Sequence, residues 1–143
     1  MKRSREIEDV VRGVIDAFDR GDTAYIERTT SRDPGVVVIG TDPGEYATGY
    51  ERVMGMLREG TPGPGQPIHV RVTELRGYED GDVALADGTG VFERDGESVD
   101  IRFTAVLVRE QGDWRVVQNH ASIGVPNDKM FEPLFGRARA ETH

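Results

Sequence analysis

His120 is the side chain of this sequence best suited by type to move a proton, and it lies among the polar residues of the stretch QNHASIGVPN, which follows the apolar DWRVV. An imidazole beside Arg102 could stay uncharged near neutral pH and act as a general base or proton shuttle. No nucleophile or carboxylate stands at a recognisable spacing from it. The alternative is that His120 belongs to the outer face of a sheet that packs against a second copy of the chain. The sequence favours this interface.

Asp87 is a second polar residue in an otherwise apolar strand, between Val83 and Val91. The register of that strand is open. If Asp87 points inward, it would lie in a pocket and could pair there with the carboxylate of Asp42. An outward Asp87 would lie at the interface and pair with an arginine.

The amino-acid composition excludes several classes of function. The 143 residues fit one domain, 1–143, and carry a net charge of −8, so a nucleic-acid partner is not expected. The chain has no cysteine and its three histidines lack the spacing of metal ligands, so neither a metal nor another cofactor is expected. The charged N-terminus and the lack of a long apolar run argue against a signal peptide or membrane span and favour a cytoplasmic protein.

The elements that would position these residues begin with a long helix. Its apolar stripe predicts a helix that Gly21 ends in the left-handed conformation, after which Asp22 caps a short second helix. The β-branched run 36–39 predicts a short buried strand. Thr48 and Glu51 have capping-box spacing before a third helix that ends at Gly60, and 60–67 predicts an exposed loop. The stripe of the first helix consists of Ile7, Val10, Val11, Val14, Ile15 and Phe18.

Four antiparallel strands follow, at about 67–78, 82–94, 98–110 and 113–123, joined by glycine-containing tight turns. A short terminal helix is expected at about 127–136 and a loose tail at 137–143. Helices gathered before a meander predict an α+β fold. In this fold a curved antiparallel sheet wraps the long N-terminal helix, because each has one apolar face to bury.

The last hairpin divides the polar residues between the two faces of the sheet. A three-residue loop at 110–112 would place Arg102 opposite His120. The opposite face, directed at the helices, is then apolar except for Asn119. The outer face, the predicted dimer interface, carries Arg102, Thr104, Trp114, Gln118, His120 and Ser122.

Three segments carry a resemblance to a known family: FDRGDTAYIE, VVVIGTDPGEYATGYERV and DIRFTAVLVREQGDWRVVQNHASIGVPN. In this order and spacing, over about residues 6–127, they resemble the SnoaL-like branch of the nuclear transport factor 2-like superfamily. The resemblance implies a cone-shaped α+β fold, dimerisation through the outer face of the sheet, and a pocket between sheet and helices. It does not imply one function, because the superfamily includes isomerases, cyclases, dehydratases and many non-enzymes.

The resemblance to ketosteroid isomerases within that superfamily suggests Asp42 as a catalytic base. Asp42 follows the first strand, in a place similar to that of their aspartate, where burial beside Tyr46 and Met54 would suit proton abstraction. Their oxyanion donors have no counterpart, because Val14 stands where their tyrosine is expected, and Ile101 and Phe103 where their second acid is expected. Steroid isomerisation is therefore not expected. The alternative is that Asp42 is a turn residue that bonds nearby backbone.

These observations lead to a small, mostly apolar pocket with Asp42 at its mouth and Asn119 or Tyr46 placed to polarise a ligand oxygen. The leading hypothesis is an isomerase, cyclase or dehydratase that abstracts a proton next to a carbonyl of a small apolar ligand. One alternative is a binding protein that uses the same pocket without chemistry. Another is a homodimerisation module whose outer face is the functional surface. The predicted lining consists of Val14, Phe18, Val38, Met54, Phe103 and Leu107.

Overall fold

The computed structural model describes residues 1–60 and 68–140, with side chains through residue 134. The elements within these residues are β1 (Lys2–Arg3), α1 (Arg5–Arg20), α2 (Thr23–Thr29), β2 (Val37–Ile39), β3 (Tyr46–Thr48), α3 (Tyr50–Gly60), β4 (His69–Asp80), β5 (Val83–Arg94), β6 (Glu97–Glu110), β7 (Asp113–Ser122) and α4 (Asn127–Ala140). The described strands form one sheet in the order β1-β4-β5-β6-β7-β2-β3.

Local hydrogen bonds and one glycine set the ends of the first two helices. The Ser4 hydroxyl oxygen accepts a hydrogen bond from the Ile7 N–H at 3.2 Å and caps α1. Gly21 ends α1 with a left-handed φ of 73°, as predicted. The Asp22 carboxylate accepts from the Tyr25 N–H at 3.1 Å, which confirms the predicted cap of α2.

α1 packs across the inward face of the curved sheet, and this arrangement confirms the predicted α+β class. Gly77 of β4 permits the close approach of the two layers. A Cβ at Gly77 would lie 3.0 Å from Ile7 Cγ2 and from the Glu8 backbone nitrogen. The buried core shared by α1 and the sheet consists of Ile7, Val11, Ala84, Ala86, Phe103, Ala105, Leu107, Trp114 and Val116.

The turn between β6 and β7 is shorter than predicted. Glu110 pairs directly with Asp113, so the loop has two residues instead of three. Gln111 and Gly112 have positive φ angles of 53° and 86°, the pattern of a two-residue hairpin turn.

A β-bulge in β7 also changes the register. Leu107 lies opposite Val116, while Val106 lies opposite Gln118, so Val117 is an extra residue on β7. Even-numbered residues of β7 therefore point inward before Val117 and outward after it. A strict alternation of side chains along the strand would place them all on one face.

The shorter turn and the bulge together correct the predicted face of Trp114 and the predicted partner of Arg102. Trp114 lies on the inward face and is only 6% exposed, so its predicted place on the outer face is wrong. The residues after the bulge keep their predicted faces, with shifted partners. Thr104 lies opposite His120, and Arg102 lies opposite Ser122 instead of His120.

Between α2 and α3, β2 confirms the short strand predicted at 36–39, but its hairpin with β3 was not predicted. β2 pairs antiparallel with β3 and parallel with β7. Thr48 is the last residue of β3 and does not cap α3, which corrects the predicted capping box. Gly49, with a φ of 83°, precedes α3, and its carbonyl accepts from the Val53 N–H at 2.9 Å.

The four long strands agree with their predicted ranges to within two residues at each end. The terminal helix is longer than predicted, because α4 continues to Ala140 and so includes residues 137–140 of the expected tail. The predicted loop at 60–67 shares only Gly60 with the described residues, where it ends α3 as predicted. Residues 61–67 and 141–143 lie outside the described residues.

Candidate functional site

An apolar cavity of about 480 Å³ lies between the inward face of the sheet and the first three helices. The helices contribute Val11, Val14, Ile15, Phe18, Ile26, Thr29, Met56 and Leu57. The sheet contributes Val38, Val70, Val72, Phe92, Val99, Ile101, Phe103, Ala105, Val116, Asn119 and Ala121. A concave wall of this composition is typical of a site for a mostly apolar small molecule.

Four of the six predicted lining residues lie on this wall: Val14, Phe18, Val38 and Phe103. Met54 and Leu107 do not. They are 1% and 0% exposed and lie within the packed core, Met54 against Ala17 and Ile26 and Leu107 beneath α1. Met56 and Leu57, in the next turn of α3, lie on the wall instead of Met54.

Asn119 is the polar residue in the floor formed by β6, β7 and β2. It pairs with Ala105 of β6 and with Val38 of β2, and residues directly opposite each other in a sheet point to the same face. The Asn119 amide is therefore surrounded by apolar side chains at the cavity floor.

Asp42 lies outside this cavity, in the exposed turn between β2 and β3. Its Oδ2 accepts a hydrogen bond from the Gly44 N–H at 2.9 Å, and its carbonyl accepts from the Glu45 N–H at 2.9 Å. This is the geometry of the turn alternative. The predicted burial of Asp42 beside Tyr46 and Met54 is wrong, because Tyr46 is 62% exposed and Met54 belongs to the core.

Among the described lining residues, Glu45 is the carboxylate at the cavity rim. The sequence analysis did not identify it as a site residue. Its Oε1 accepts from the Asp42 N–H at 2.8 Å. Gly40 leaves space for this side chain, since a Cβ there would lie 2.9 Å from Glu45 Oε2. The alternation of side chains around β3 could have indicated this role of Glu45. It places Glu45 on the same side as buried Ala47 and turns Tyr46 outward. Tyr46 therefore does not reach a ligand in this cavity.

Asp87 points outward, away from both the cavity and Asp42, so the inward alternative is excluded. Its two carboxylate oxygens accept hydrogen bonds from Arg76 Nε and Nη2 at 3.0 and 3.1 Å. These bonds raise the pKa of the Arg76 guanidinium above its usual value. This is the arginine pair expected for an outward Asp87.

The outer face of the sheet has a shallow depression of about 420 Å³ around Arg102, Thr104, His120 and Ser122. Arg102 Nε donates to Ser122 Oγ at 3.0 Å. His120 lies opposite Thr104, and no described side chain forms a hydrogen bond or ion pair with it. An exposed imidazole without a carboxylate partner is not arranged as a general base. Gln118 lies opposite Val106 on the same face.

No group of three acidic or histidine side chains that could hold a metal ion occurs in the described part of the chain. No helix of the described residues is long and apolar enough to span a bilayer.

Comparisons with known proteins identify the family and the fold. The profile of the SnoaL-like domain family matches residues 7–126. A search of curated proteins gave no significant match. A solved structure similar to this chain is an NTF2-like protein of unknown function from Pseudomonas putida KT2440, with 18% sequence identity. The alignment covers 90% of this chain and 94% of that one, with a TM-score of 0.75.

Two further solved structures have the same fold. The association domain of C. elegans CaMKII is 20% identical over 82% of this chain and 94% of its own, with a TM-score of 0.65. A ketosteroid isomerase candidate from Parabacteroides distasonis ATCC 8503 is 14% identical over 85% of this chain and 91% of its own, with a TM-score of 0.68. At these identities the likeness shows the fold alone.

Proposed function

We propose, from the premise that this chain belongs to the SnoaL-like domain family, that it binds a small, mostly apolar molecule in the cavity beneath α1. The observation that carries the proposal is the cavity wall. Aliphatic and aromatic side chains from the helices and the sheet enclose about 480 Å³ with few polar groups. A ligand that fills this space removes apolar surface from water on both partners, which stabilises the complex.

The site supports binding better than proton abstraction. A general base must come within hydrogen-bond reach of the proton it removes. Asp42 is exposed in a turn, and His120 lies on the opposite face of the sheet. Glu45 is at the rim, where it already accepts the Asp42 N–H. An isomerase, cyclase or dehydratase mechanism in this cavity would therefore depend on Glu45.

Thermal unfolding against a ligand panel tests the binding function. The panel contains ketosteroids, aromatic polyketides, terpenoids and short carboxylic acids. A ligand at a hundred times its dissociation constant adds about 2.7 kcal/mol to the free energy of unfolding. We expect apolar members to raise Tm and the short acids to have no effect.

A cavity-filling variant locates the binding. Ala121 lies on the wall, so Ala121→Phe should abolish the ligand-induced rise in Tm. Ala24 is an exposed alanine of α2, and Ala24→Phe is the matched control that should keep the rise. A panel without any hit, or hits that survive Ala121→Phe, would refute the proposal.

Self-association through the outer face is a second candidate function. Val83 and Leu85 of β5 lie on this face with 45% and 40% of their surfaces exposed, beside the polar residues around His120. Exposed apolar residues with a polar surround are typical of protein interfaces. The similarity to an association domain supports the same proposal. We expect a homodimer in sedimentation velocity at micromolar concentration, and a monomer would contradict it.

A matched pair of variants tests which surface forms the dimer. Leu85→Glu places a charge on the outer face and should produce a monomer. Ala24→Glu makes a similar change at an exposed residue of α2, on the helix side of the sheet, and should leave the dimer intact. Dissociation by Ala24→Glu alone would place the interface elsewhere.

A further inference from the structure

The Asn119 amide is an unusual group for the position it occupies. Its strand neighbours on both sides, Ala105 and Val38, are buried apolar residues. Among the described residues, no hydrogen-bond partner of the Asn119 side chain is found. A carboxamide has two donor hydrogens and one acceptor oxygen, and those of Asn119 are open to the cavity and so to a bound molecule.

Most other polar side chains around the cavity have their hydrogen bonds elsewhere, and Thr41 lies in the exposed turn after β2. Thr29 and Thr30 donate to backbone carbonyls within α2. Arg71 Nη2 donates to a glutamate of β5 at 2.7 Å. Glu45 lies at the rim and accepts a backbone N–H of its own turn. Asn119 thus remains available to a bound molecule at the floor.

We propose that Asn119 anchors an uncharged carbonyl or hydroxyl oxygen of the ligand, while the apolar remainder of the ligand packs against the cavity wall. The inference rests on the proposed binding function and names the class of ligand. The amide N–H can donate to either oxygen, and the amide oxygen can accept from a hydroxyl.

A negatively charged ligand group does not fit the same position. A carboxylate at the floor would lose its hydration among apolar side chains without a cation in compensation. The guanidinium of Arg71 is already engaged by Glu93, and the carboxylate of Glu45 at the rim would repel an anion.

Four probes that share one aromatic skeleton test the anchor: naphthalene, acetylnaphthalene, naphthylmethanol and naphthoate. Their dissociation constants are measured by fluorescence titration. A neutral hydrogen bond should make acetylnaphthalene and naphthylmethanol bind about fivefold tighter than naphthalene, and naphthoate should bind weakest. Asn119→Leu should bring the two neutral oxygen compounds to the affinity of naphthalene and leave naphthalene itself unchanged or tighter.

Two controls separate an anchor from a structural asparagine. Gln118→Leu makes a similar change on the opposite face of the same strand and should leave all four dissociation constants unchanged. Asn119→Leu breaks no hydrogen bond between described residues, so it should not lower the Tm of the ligand-free protein. A lowered Tm together with unchanged oxygen selectivity would indicate a structural role and overturn the inference.

The outcomes also separate this inference from the function on which it rests. Equal binding of naphthalene and its oxygen derivatives, or selectivity that survives Asn119→Leu, would overturn the anchor and leave the binding function intact. If none of the four probes binds, naphthalene included, the binding function fails and the anchor fails with it.

Discussion

Asp42 and Asn119 differ in the partners that the backbone gives them. Asp42 is in a turn, where its Oδ2 accepts from the Gly44 N–H and its backbone carbonyl accepts from the Glu45 N–H. Asn119 is in a regular strand, where the ladder uses only backbone groups and the amide stays unpaired within the described residues. The TDPGE segment permits both a turn and a base, and the hydrogen bonds of the folded turn decide between them.

Substitutions at Asp42 should therefore affect stability and leave binding unchanged. Asp42→Asn keeps an acceptor for the Gly44 N–H and should leave the free energy of unfolding unchanged. Asp42→Ala removes it and should cost about 0.5–1.5 kcal/mol. Urea denaturation measures both variants. A loss of ligand turnover in Asp42→Asn, at unchanged stability, would restore the catalytic assignment.

Helices and strands could be predicted where the burial of one face imposes a regular spacing of apolar residues. The stripe of α1, its glycine end and the four long strands follow from apolar spacing and turn residues, because each element has one face to bury. The bulge at Val117 was not predictable. Val116 and Val117 are both apolar, so alternation gives no sign that one of them is an extra residue. The face of Trp114 depends on that bulge.

Trp114 should consequently behave as a core residue. It is 6% exposed, packs in the cluster beneath α1, and has the Arg109 guanidinium 4.2 Å from the centre of its ring. Trp114→Ala should lower the free energy of unfolding by about 3–5 kcal/mol. Trp114→Phe, which keeps an aromatic ring, should cost less and serves if the alanine variant fails to fold.

The control for Trp114 is Gln118→Ala, at an exposed position on the outer face, which should change the stability by no more than about 0.5 kcal/mol. Equilibrium denaturation at two protein concentrations separates core from interface. A loss in Trp114→Ala that vanishes at high protein concentration would contradict the core assignment.

Glu8 joins α1 to the first and fourth strands. Its Oε1 accepts from Arg3 Nε at 2.6 Å and from the Gly77 N–H at 3.2 Å. The hydrogen bond from Arg3 is the main cause that lowers the pKa of Glu8. Because the folded-state pKa is below the unfolded one, the stabilisation is present above the unfolded pKa. It is lost as the pH falls through the folded value.

Glu8→Gln should therefore lower Tm at neutral pH, and the difference from the unchanged protein should shrink as the pH falls below the usual range of a carboxyl. Glu6→Gln, in the same turn of α1 but exposed, is the matched control and should show a smaller difference at neutral pH. Differential scanning fluorimetry across this range measures both. A Tm difference for Glu8→Gln that does not depend on pH would contradict the assigned ion pair.

At the scale of the whole molecule, the sheet separates two surfaces with different proposed roles. The cavity uses the inward residues of β6 and β7, and the proposed dimer uses the outward residues of the same strands. Successive side chains along a strand point to opposite faces, so one strand can serve both surfaces with separate residues.

This separation predicts that binding does not require association. Leu85→Glu, which should produce a monomer, changes no cavity residue and should leave the naphthalene dissociation constant within about twofold, since distant sites are usually additive. Fluorescence titration of the monomeric variant provides the measurement. A loss of binding on dissociation would mean that the partner completes the cavity.

The position of a bound molecule tests directly whether the apolar cavity is the functional site. Intermolecular nuclear Overhauser effects from acetylnaphthalene to the methyl groups of the isotope-labelled protein measure that position. We predict contacts to Val14 and Val38, which line the cavity from opposite sides. Contacts confined to Leu85 or Thr104 would place the ligand on the outer face and contradict binding in the cavity.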